Sequence, residues 1–170
     1  NMKQLLSYML CALAGAAALG LTACNDSDGT PPGEEPVVVP PPEAIGTYSF
    51  DGTESDIVDG VYTEDDYDLQ IIFSPQMMSS AIETYFVIGV HRYWVGQTVD
   101  AEQVYHNDDY LFVYEDPWYL YTQYKKVTGS IYIDREGDRF TVELDLHLHD
   151  GKPFTASFTG ELRNGLDTEE

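Results

Sequence analysis

Cysteine is nearly absent from this sequence of 170 residues, which has two, Cys11 and Cys24. Both precede the region that we expect to fold, so the folded region has no thiol. A domain without thiols excludes disulfide bonds, a cysteine nucleophile and cysteine-ligated zinc or iron–sulfur sites. We therefore expect the fold to depend on its hydrophobic core for stability.

Basic residues are scarce as well, because 8 lysines and arginines stand against 30 acidic residues, for a formal net charge of −22. Nucleic acids bind basic surfaces, so this balance excludes nucleic acid as a partner. It also disfavours adsorption of the folded domain onto an anionic lipid surface.

The sequence also lacks the common catalytic motifs: the nucleophile elbow, the phosphate-binding glycine loop and the His-Glu-x-x-His helix are all missing. The sequence therefore predicts a protein that is not an enzyme.

Residues 1–23 predict an export signal. Lys3 precedes an apolar run over residues 5–21, the order of charged and apolar regions in a secretory signal. An uncleaved membrane-spanning helix is the alternative, and 17 residues reach only the short end of the spanning range. Residues 21–24, Leu-Thr-Ala-Cys, resemble the lipobox of bacterial lipoproteins. The resemblance implies cleavage before Cys24, acylation of that cysteine, and anchoring in a membrane by acyl chains.

The segment that follows the predicted lipidation site is acidic and rich in proline. Its first five residues, Asn25 to Gly29, resemble the surface-export signal of Bacteroidetes lipoproteins. This resemblance implies an outer-membrane lipoprotein exposed at the cell surface, and a periplasm-facing position is the alternative. Prolines and acidic residues then continue through residues 24–45, which predicts an extended tether.

Residues 46–163 predict one all-β domain, followed by an acidic tail at residues 164–170. Apolar and polar residues alternate from Phe140 to Leu148 and again from Phe154 to Leu162, as in strands with one buried face. We expect a single antiparallel meander barrel of about eight strands, because closure removes exposed edges; a two-sheet β-sandwich is the alternative. The candidate strands are 46–50, 57–62, 67–73, 85–91, 103–106, 110–115, 119–134, 139–149 and 153–162.

Loop lengths predict the register of the last three strands. A two-residue loop at 136–137 pairs Ile133 with Phe140 and keeps apolar residues opposite each other. A three-residue loop at 150–152, with glycine at positive φ, does the same for the final hairpin. A slip of one residue in either hairpin would turn every side chain to the other face.

Several short turn and strand patterns suggest a relationship. With the export signal, they resemble the small calycin-like (lipocalin-like) lipoprotein domains of Bacteroidetes. The resemblance implies a barrel fold, and one function for such a barrel is to carry a small apolar ligand inside. Bulky residues at the inward positions favour a filled interior instead. The patterns are Gly46-Thr47-Tyr48, Val95 to Asp100, Gly129-Ser130-Ile131, Asp150-Gly151-Lys152 and Thr159-Gly160-Glu161-Leu162.

Two groups of residues are candidates for metal binding. Asp65, Asp66 and Asp68 form the closest acidic cluster for Ca²⁺, which takes six to eight oxygen ligands. His147 and His149 lie two apart on one predicted strand and share a face, as two imidazole ligands of a divalent metal would. An acidic loop that keeps the protein soluble and a solvated polar face are the preferred interpretations, so the sequence predicts no metal site and no cofactor, with bound Ca²⁺ as the alternative.

Aromatic residues are the most unusual feature, with 13 tyrosines in the chain. Rings that stand beside carboxylates on a polar surface bind sugars, and exposed aromatic patches also mark protein partners. The alternative is that tyrosines fill a small β core with their hydroxyls near water. We expect a lipid-anchored envelope module that binds a glycan or a partner protein; a barrel for an apolar ligand and an acidic inhibitor or accessory subunit are the alternatives. The predicted ligand-binding residues are Tyr93, Trp94, Trp118, Tyr119 and Tyr121.

Overall fold

The structure, a computed structural model, describes residues 40–78, 82–104, 110–116, 119–120 and 127–165, with the backbone alone at 103–104 and 119–120. The described strands belong to one compact unit, Pro42–Glu170. The predicted signal, Cys24, most of the tether and most of the acidic tail lie outside the described residues. Those predictions stay predictions.

The described part of the chain consists mainly of β-strands, with a 3₁₀ turn at Arg92–Trp94 and one α-helical turn at Ala101–Val104. Within these residues no helix has the length and hydrophobicity to cross a membrane. The strands are β1 Gly46–Phe50, β2 Thr53–Ile57, β3 Asp59–Glu64, β4 Asp68–Ser74, β5 Tyr85–His91, β6 Gln97–Asp100, β7 Tyr110–Asp116, β8 Tyr119–Leu120, β9 Thr128–Glu136, β10 Arg139–His147, β11 Pro153–Glu161 and β12 Arg163–Asn164.

These strands form two six-stranded sheets. The first sheet has the order β2-β1-β11-β10-β9-β6, and the second has the order β12-β3-β4-β5-β7-β8. The chain changes sheet between β2 and β3, between β5 and β6, between β6 and β7, between β8 and β9, and between β11 and β12. Strands that are neighbours in sequence therefore often lie in different sheets, and β12 pairs with β3 in parallel.

The prediction of an all-β fold is confirmed, whereas the predicted closed meander barrel is not. Among the described residues neither sheet closes on itself, and the strand order is consistent with the two-sheet alternative. The reason is that no described strand pair joins the two sheets: β2 and β6 are the edges of the first sheet, and β12 and β8 are the edges of the second. The strand predicted at 103–106 is also wrong, because residues 101–104 form the helical turn.

The hydrophobic core lies between the two sheets. Rings from the first sheet contact rings from the second, with centroids 5.0 Å apart for Phe73 and Phe158 and 5.1 Å apart for Phe86 and Phe154. Phe140 of the first sheet lies 4.9 Å from Tyr62 in the same way. The inner residues of both sheets belong to one buried cluster, so the space between the sheets is filled by side chains.

The two sheets differ in what their outer faces carry. In β10 and β11 of the first sheet, buried residues alternate with exposed or half-buried polar ones. In β3, β4 and β5 of the second sheet, nearly every residue is buried. On the outer face of the second sheet, four buried apolar residues lie side by side, although none belongs to the cluster between the sheets. They are Val61, Ile72, Val87 and Val113.

In the two C-terminal hairpins the residues predicted to face inward do so, but each residue pairs with a partner two positions away from the predicted one. Phe140 lies opposite Arg135 instead of Ile133, because the loop is Gly137-Asp138. In the last hairpin Leu148 bonds to Lys152, so the loop is 149–151 instead of 150–152. A shift of two residues leaves every side chain on its face, which is why the predicted buried set is unchanged.

Candidate ligand-binding surface

Two of the five predicted ligand-binding residues have described side chains, and they are adjacent in the 3₁₀ turn that joins β5 to β6. The side chain of Tyr93 is 51% exposed. Trp94 is half-buried and packs against the core, and its ring lies 4.7 Å from that of Tyr93. Tyr119 belongs to β8 by its backbone, but its side chain, Trp118 and Tyr121 lie outside the described residues.

Other aromatic residues of the same region are core residues. Phe86, Tyr110, Phe112 and Tyr114 are all buried in the cluster between the sheets. For these four the alternative, in which aromatic rings fill a β core, is the one that the structure supports. Tyr93 differs from them because the 3₁₀ turn carries it out of the sheet.

Two more rings continue the surface that begins at Tyr93 and Trp94. The imidazole of His91 lies 4.4 Å from the ring of Tyr93, and the ring of Tyr67 lies 6.1 Å from that of His91. Tyr67 is 66% exposed. We call this row of four rings the aromatic ledge. It presents two exposed tyrosines on either side of a histidine.

The turn between β3 and β4 fixes the position of Tyr67. The Oδ1 atom of Asp65 accepts hydrogen bonds from the backbone amides of Tyr67 and Asp68, each at 2.8 Å. These two bonds stabilise the charged carboxylate and lower the pKa of Asp65 below its ordinary value. The Arg92 amide donates to the Tyr67 carbonyl at 2.7 Å, so this turn and the 3₁₀ turn are bonded to each other.

Charged groups of both signs lie beside the ledge. The Arg92 guanidinium is 3.6 Å from the carboxylate of Glu64 and donates to the Asp65 carbonyl at 3.1 Å. Asp66 and Asp68 belong to the same turn as Tyr67. The ledge therefore combines apolar ring faces with carboxylates and one guanidinium, all within two adjoining turns.

Buried polar atoms lie next to the ledge on the outer face of the second sheet. Gln70 is 2% exposed, and neither its Oε1 nor its Nε2 has a hydrogen-bond partner in the part of the chain that the structure describes. The same holds for Nδ1 of His91 and Nε1 of Trp94. Most buried polar groups in proteins have a partner, so an amide with none calls for an explanation.

The metal-binding candidates do not assemble into a donor set. Within the described residues, no three side chains of His, Cys, Asp or Glu converge to hold a metal ion. The carboxylate of Asp65 caps its own turn, and Asp66 is exposed beside it. His147 is exposed at the end of β10, and His149 is exposed in the following loop. The alternative of a Ca²⁺ site gains no support from these positions.

Sequence reasoning missed Tyr67 and His91 as members of the aromatic ledge. Tyr67 had a usable signal, because a large aromatic residue between Asp66 and Asp68 has no apolar neighbour in sequence. His91 had none, because only the pairing of β4 with β5 places it opposite Asp68, beside the turn that holds Tyr67.

No protein-family model, no curated protein and no solved structure matches this chain. The function of this surface is therefore inferred from its own chemistry.

Proposed function

We propose that this protein is a lipid-anchored, non-catalytic module of the cell envelope that binds a glycan through the aromatic ledge. The observation that carries the proposal is the row formed by Tyr67, His91 and Tyr93, with two exposed tyrosines next to carboxylates. Rings that lie together as an exposed patch mark interaction sites, whereas single exposed rings do not.

A glycan suits this surface better than the other candidate ligands. The axial C–H groups of a sugar ring form an apolar face that packs on tyrosine, while its hydroxyls bond to carboxylates and to the guanidinium of Arg92. Tyrosine combines a rigid apolar body with a polar end, so it loses little conformational entropy on binding. A surface of four rings is small for a stable protein interface, which usually buries about 800 Å² on each partner.

An internal apolar ligand has less support. Five phenylalanines between or beside the sheets are almost completely buried, and the inner faces pack against each other. We interpret the two sheets as a β-sandwich with a filled interior, in which binding takes place on the surface. The five residues are Phe73, Phe86, Phe140, Phe154 and Phe158.

The proposed location depends on the N-terminal segment. The support is the apolar run over residues 5–21, the lipobox-like residues before Cys24 and the acidic proline-rich stretch behind it. We propose an outer-membrane lipoprotein whose tether holds the domain at the cell surface. If the Cys24→Ala variant still partitions into the detergent phase, acylation of that residue is not what anchors the chain.

Glycan binding is tested on the full chain purified in detergent. We expect wild type to bind a member of a panel of soluble neutral oligosaccharides built from glucose, mannose or N-acetylglucosamine. Tyr93→Ala and Tyr67→Ala should each weaken that binding about tenfold, because a contact of about 1.4 kcal/mol is lost. Isothermal titration calorimetry gives both Kd values.

Tyr132→Ala is the matched control, because Tyr132 lies half-buried in β9 of the first sheet, opposite Thr98, and is not one of the four rings of the ledge. Its affinity for the same oligosaccharide should equal that of wild type. If the three tyrosine variants bind equally well, the ledge is not the binding surface. If wild type binds no oligosaccharide but captures a defined envelope protein, the partner-protein alternative replaces the glycan.

A further inference from the structure

We propose that the aromatic ledge binds a single extended glycan chain, with one sugar residue on the ring of Tyr67 and another on the ring of Tyr93. This inference rests on the proposed function and makes its ligand more specific. The ligand class is a soluble neutral chain of at least two sugar residues. A monosaccharide and the flat surface of an ordered polysaccharide are both excluded as the preferred ligand.

The two tyrosines of the ledge offer separate contact surfaces. Both side chains are exposed, whereas the imidazole of His91, which contacts both rings, is half-buried. The ring centroid of Tyr67 lies 6.1 Å from that of His91, and the centroid of Tyr93 lies 4.4 Å from it on its own side. The centroids of the two tyrosines are therefore no more than 10.5 Å apart. A short segment of a glycan chain can bridge that span.

The orientation of the two rings indicates the form of the ligand. The ring plane of Tyr67 is inclined at 68° to the imidazole of His91, and that of Tyr93 is inclined at 45° to the same imidazole. The two tyrosine planes therefore differ by at least 23°, which is the difference between those angles. One flat sugar face cannot lie parallel to both rings, and neither can an ordered polysaccharide surface. Successive residues of a free chain turn about their glycosidic bonds, so two of them can each match one ring.

Hydrogen bonds fix the backbone at both tyrosines. The Arg92 amide donates to the Tyr67 carbonyl at 2.7 Å, and Nε2 of Gln97 donates to the Tyr93 carbonyl at 2.7 Å. A site that is fixed in advance loses little entropy when the ligand binds. A chain that has bound one ring presents its next residues to the second ring at a high effective concentration. We therefore expect affinity to rise with chain length until both rings are covered.

The test measures how affinity depends on chain length. The full chain in detergent is titrated by calorimetry with a series of one to six residues of the sugar that wild type binds. The monosaccharide should bind at least tenfold more weakly than the first oligosaccharide that covers both rings, and longer members should add little. In Tyr67→Ala and in Tyr93→Ala this dependence should disappear, so that long oligosaccharides bind about as weakly as short ones. Both tyrosines are exposed in turns, so Tm should change little.

Tyr132→Ala is again the control and should keep the chain-length dependence of wild type. Equal affinity of wild type for the monosaccharide and the hexasaccharide would overturn the inference, as would an unchanged dependence in both ledge variants. In either case, weaker binding of every member by Tyr93→Ala would leave the proposed function standing. If wild type binds no member of the series, both proposals fail.

Two measurements on wild type make the test independent of the variants. The ring signals of Tyr67 and of Tyr93 in an NMR spectrum should both shift when the hexasaccharide is added, and a shift of only one ring at saturation would overturn the inference. The protein should stay in the supernatant when it is sedimented with a crystalline polysaccharide of the same sugar. Co-sedimentation as strong as its binding to the soluble chain would overturn the assignment of a single free chain.

Discussion

At the scale of single residues, the carboxylate of Asp65 fixes the position of the exposed ring of Tyr67. Asp65 accepts two backbone hydrogen bonds within its own turn, and these bonds hold Tyr67 at the end of the ledge. The pKa of Asp65 in the folded protein lies below its ordinary value. Its ionised carboxylate therefore stabilises the fold fully at any pH above that ordinary pKa. The contribution is lost as the pH falls through the lowered pKa.

We predict that Asp65→Ala lowers the free energy of unfolding by about 1 kcal/mol, as the loss of a capping side chain does. It should also weaken binding of the oligosaccharide, because Tyr67 is no longer held in place. Asp66→Ala removes an exposed neighbouring carboxylate and is the control. Urea denaturation at pH 7 and at pH 3 measures the effect. An equal loss at both pH values would contradict the assigned role.

At the scale of elements, Arg135 connects the β9–β10 hairpin to the second sheet. Its Nη1 is 2.7 Å from Oε2 of Glu64 in β3, and its Nη2 donates to the hydroxyl of Tyr62 at 3.2 Å. Its guanidinium also lies over the rings of Tyr62 and Phe140, 4.6 and 5.0 Å from their centroids. Tyr62 donates to Asp138 of the hairpin loop at 2.7 Å. Both sheets are therefore held together at this end by one cation.

We predict that Arg135→Met lowers the free energy of unfolding by about 2–4 kcal/mol. The change removes the ring contacts and leaves the half-buried Glu64 without its nearest cation. Arg139→Met, an exposed arginine of the same hairpin, should change stability by less than about 0.5 kcal/mol. Guanidinium chloride unfolding compares the two variants. Equal effects would mean that Arg135 contributes only as a surface charge.

At the scale of the whole molecule, three buried or half-buried tyrosines make the stability of the fold fall at alkaline pH. Burial raises the pKa of Tyr48, Tyr62 and Tyr85, and in Tyr85 the hydroxyl also donates to Glu115. In each case the neutral form is favoured in the folded state. Their contribution is complete below the unfolded value of about 10 and is lost as the pH rises through the folded pKa.

We predict that Tm is nearly constant between pH 7 and pH 9 and falls steeply above about pH 10. Ionisation adds further negative charge to a chain that already has a net charge of −22, which increases self-repulsion. Circular dichroism melts from pH 7 to pH 11.5 measure the profile. Tyr85→Phe should make the decline less steep, whereas Tyr132→Phe should not. A flat profile up to pH 11 would contradict the prediction.

The alternation of apolar and polar residues predicted where the strands lie better than it predicted which strands pair with each other. Alternation from Phe140 to Leu148 and from Phe154 to Leu162 predicts both strands and their buried faces. The Asp51-Gly52 turn, with φ values of 51° and 82°, makes a hairpin of β1 and β2 that the sequence analysis missed. An Asp-Gly pair is a strong hairpin signal, so this element was within reach.

The sequence by itself determined the all-β class, the inward faces and the absence of thiols in the folded region, because period-two alternation and composition are local properties. The tertiary structure decided which strands pair, since the pairing of Thr47 with Ser157 joins residues 110 positions apart. It also decided which rings are exposed. Tyr93 and Tyr114 look alike in sequence, but one lies in a turn and the other between two sheets. The surface proposed for binding arises from that difference, because only the packing of distant strands separates core rings from exposed ones.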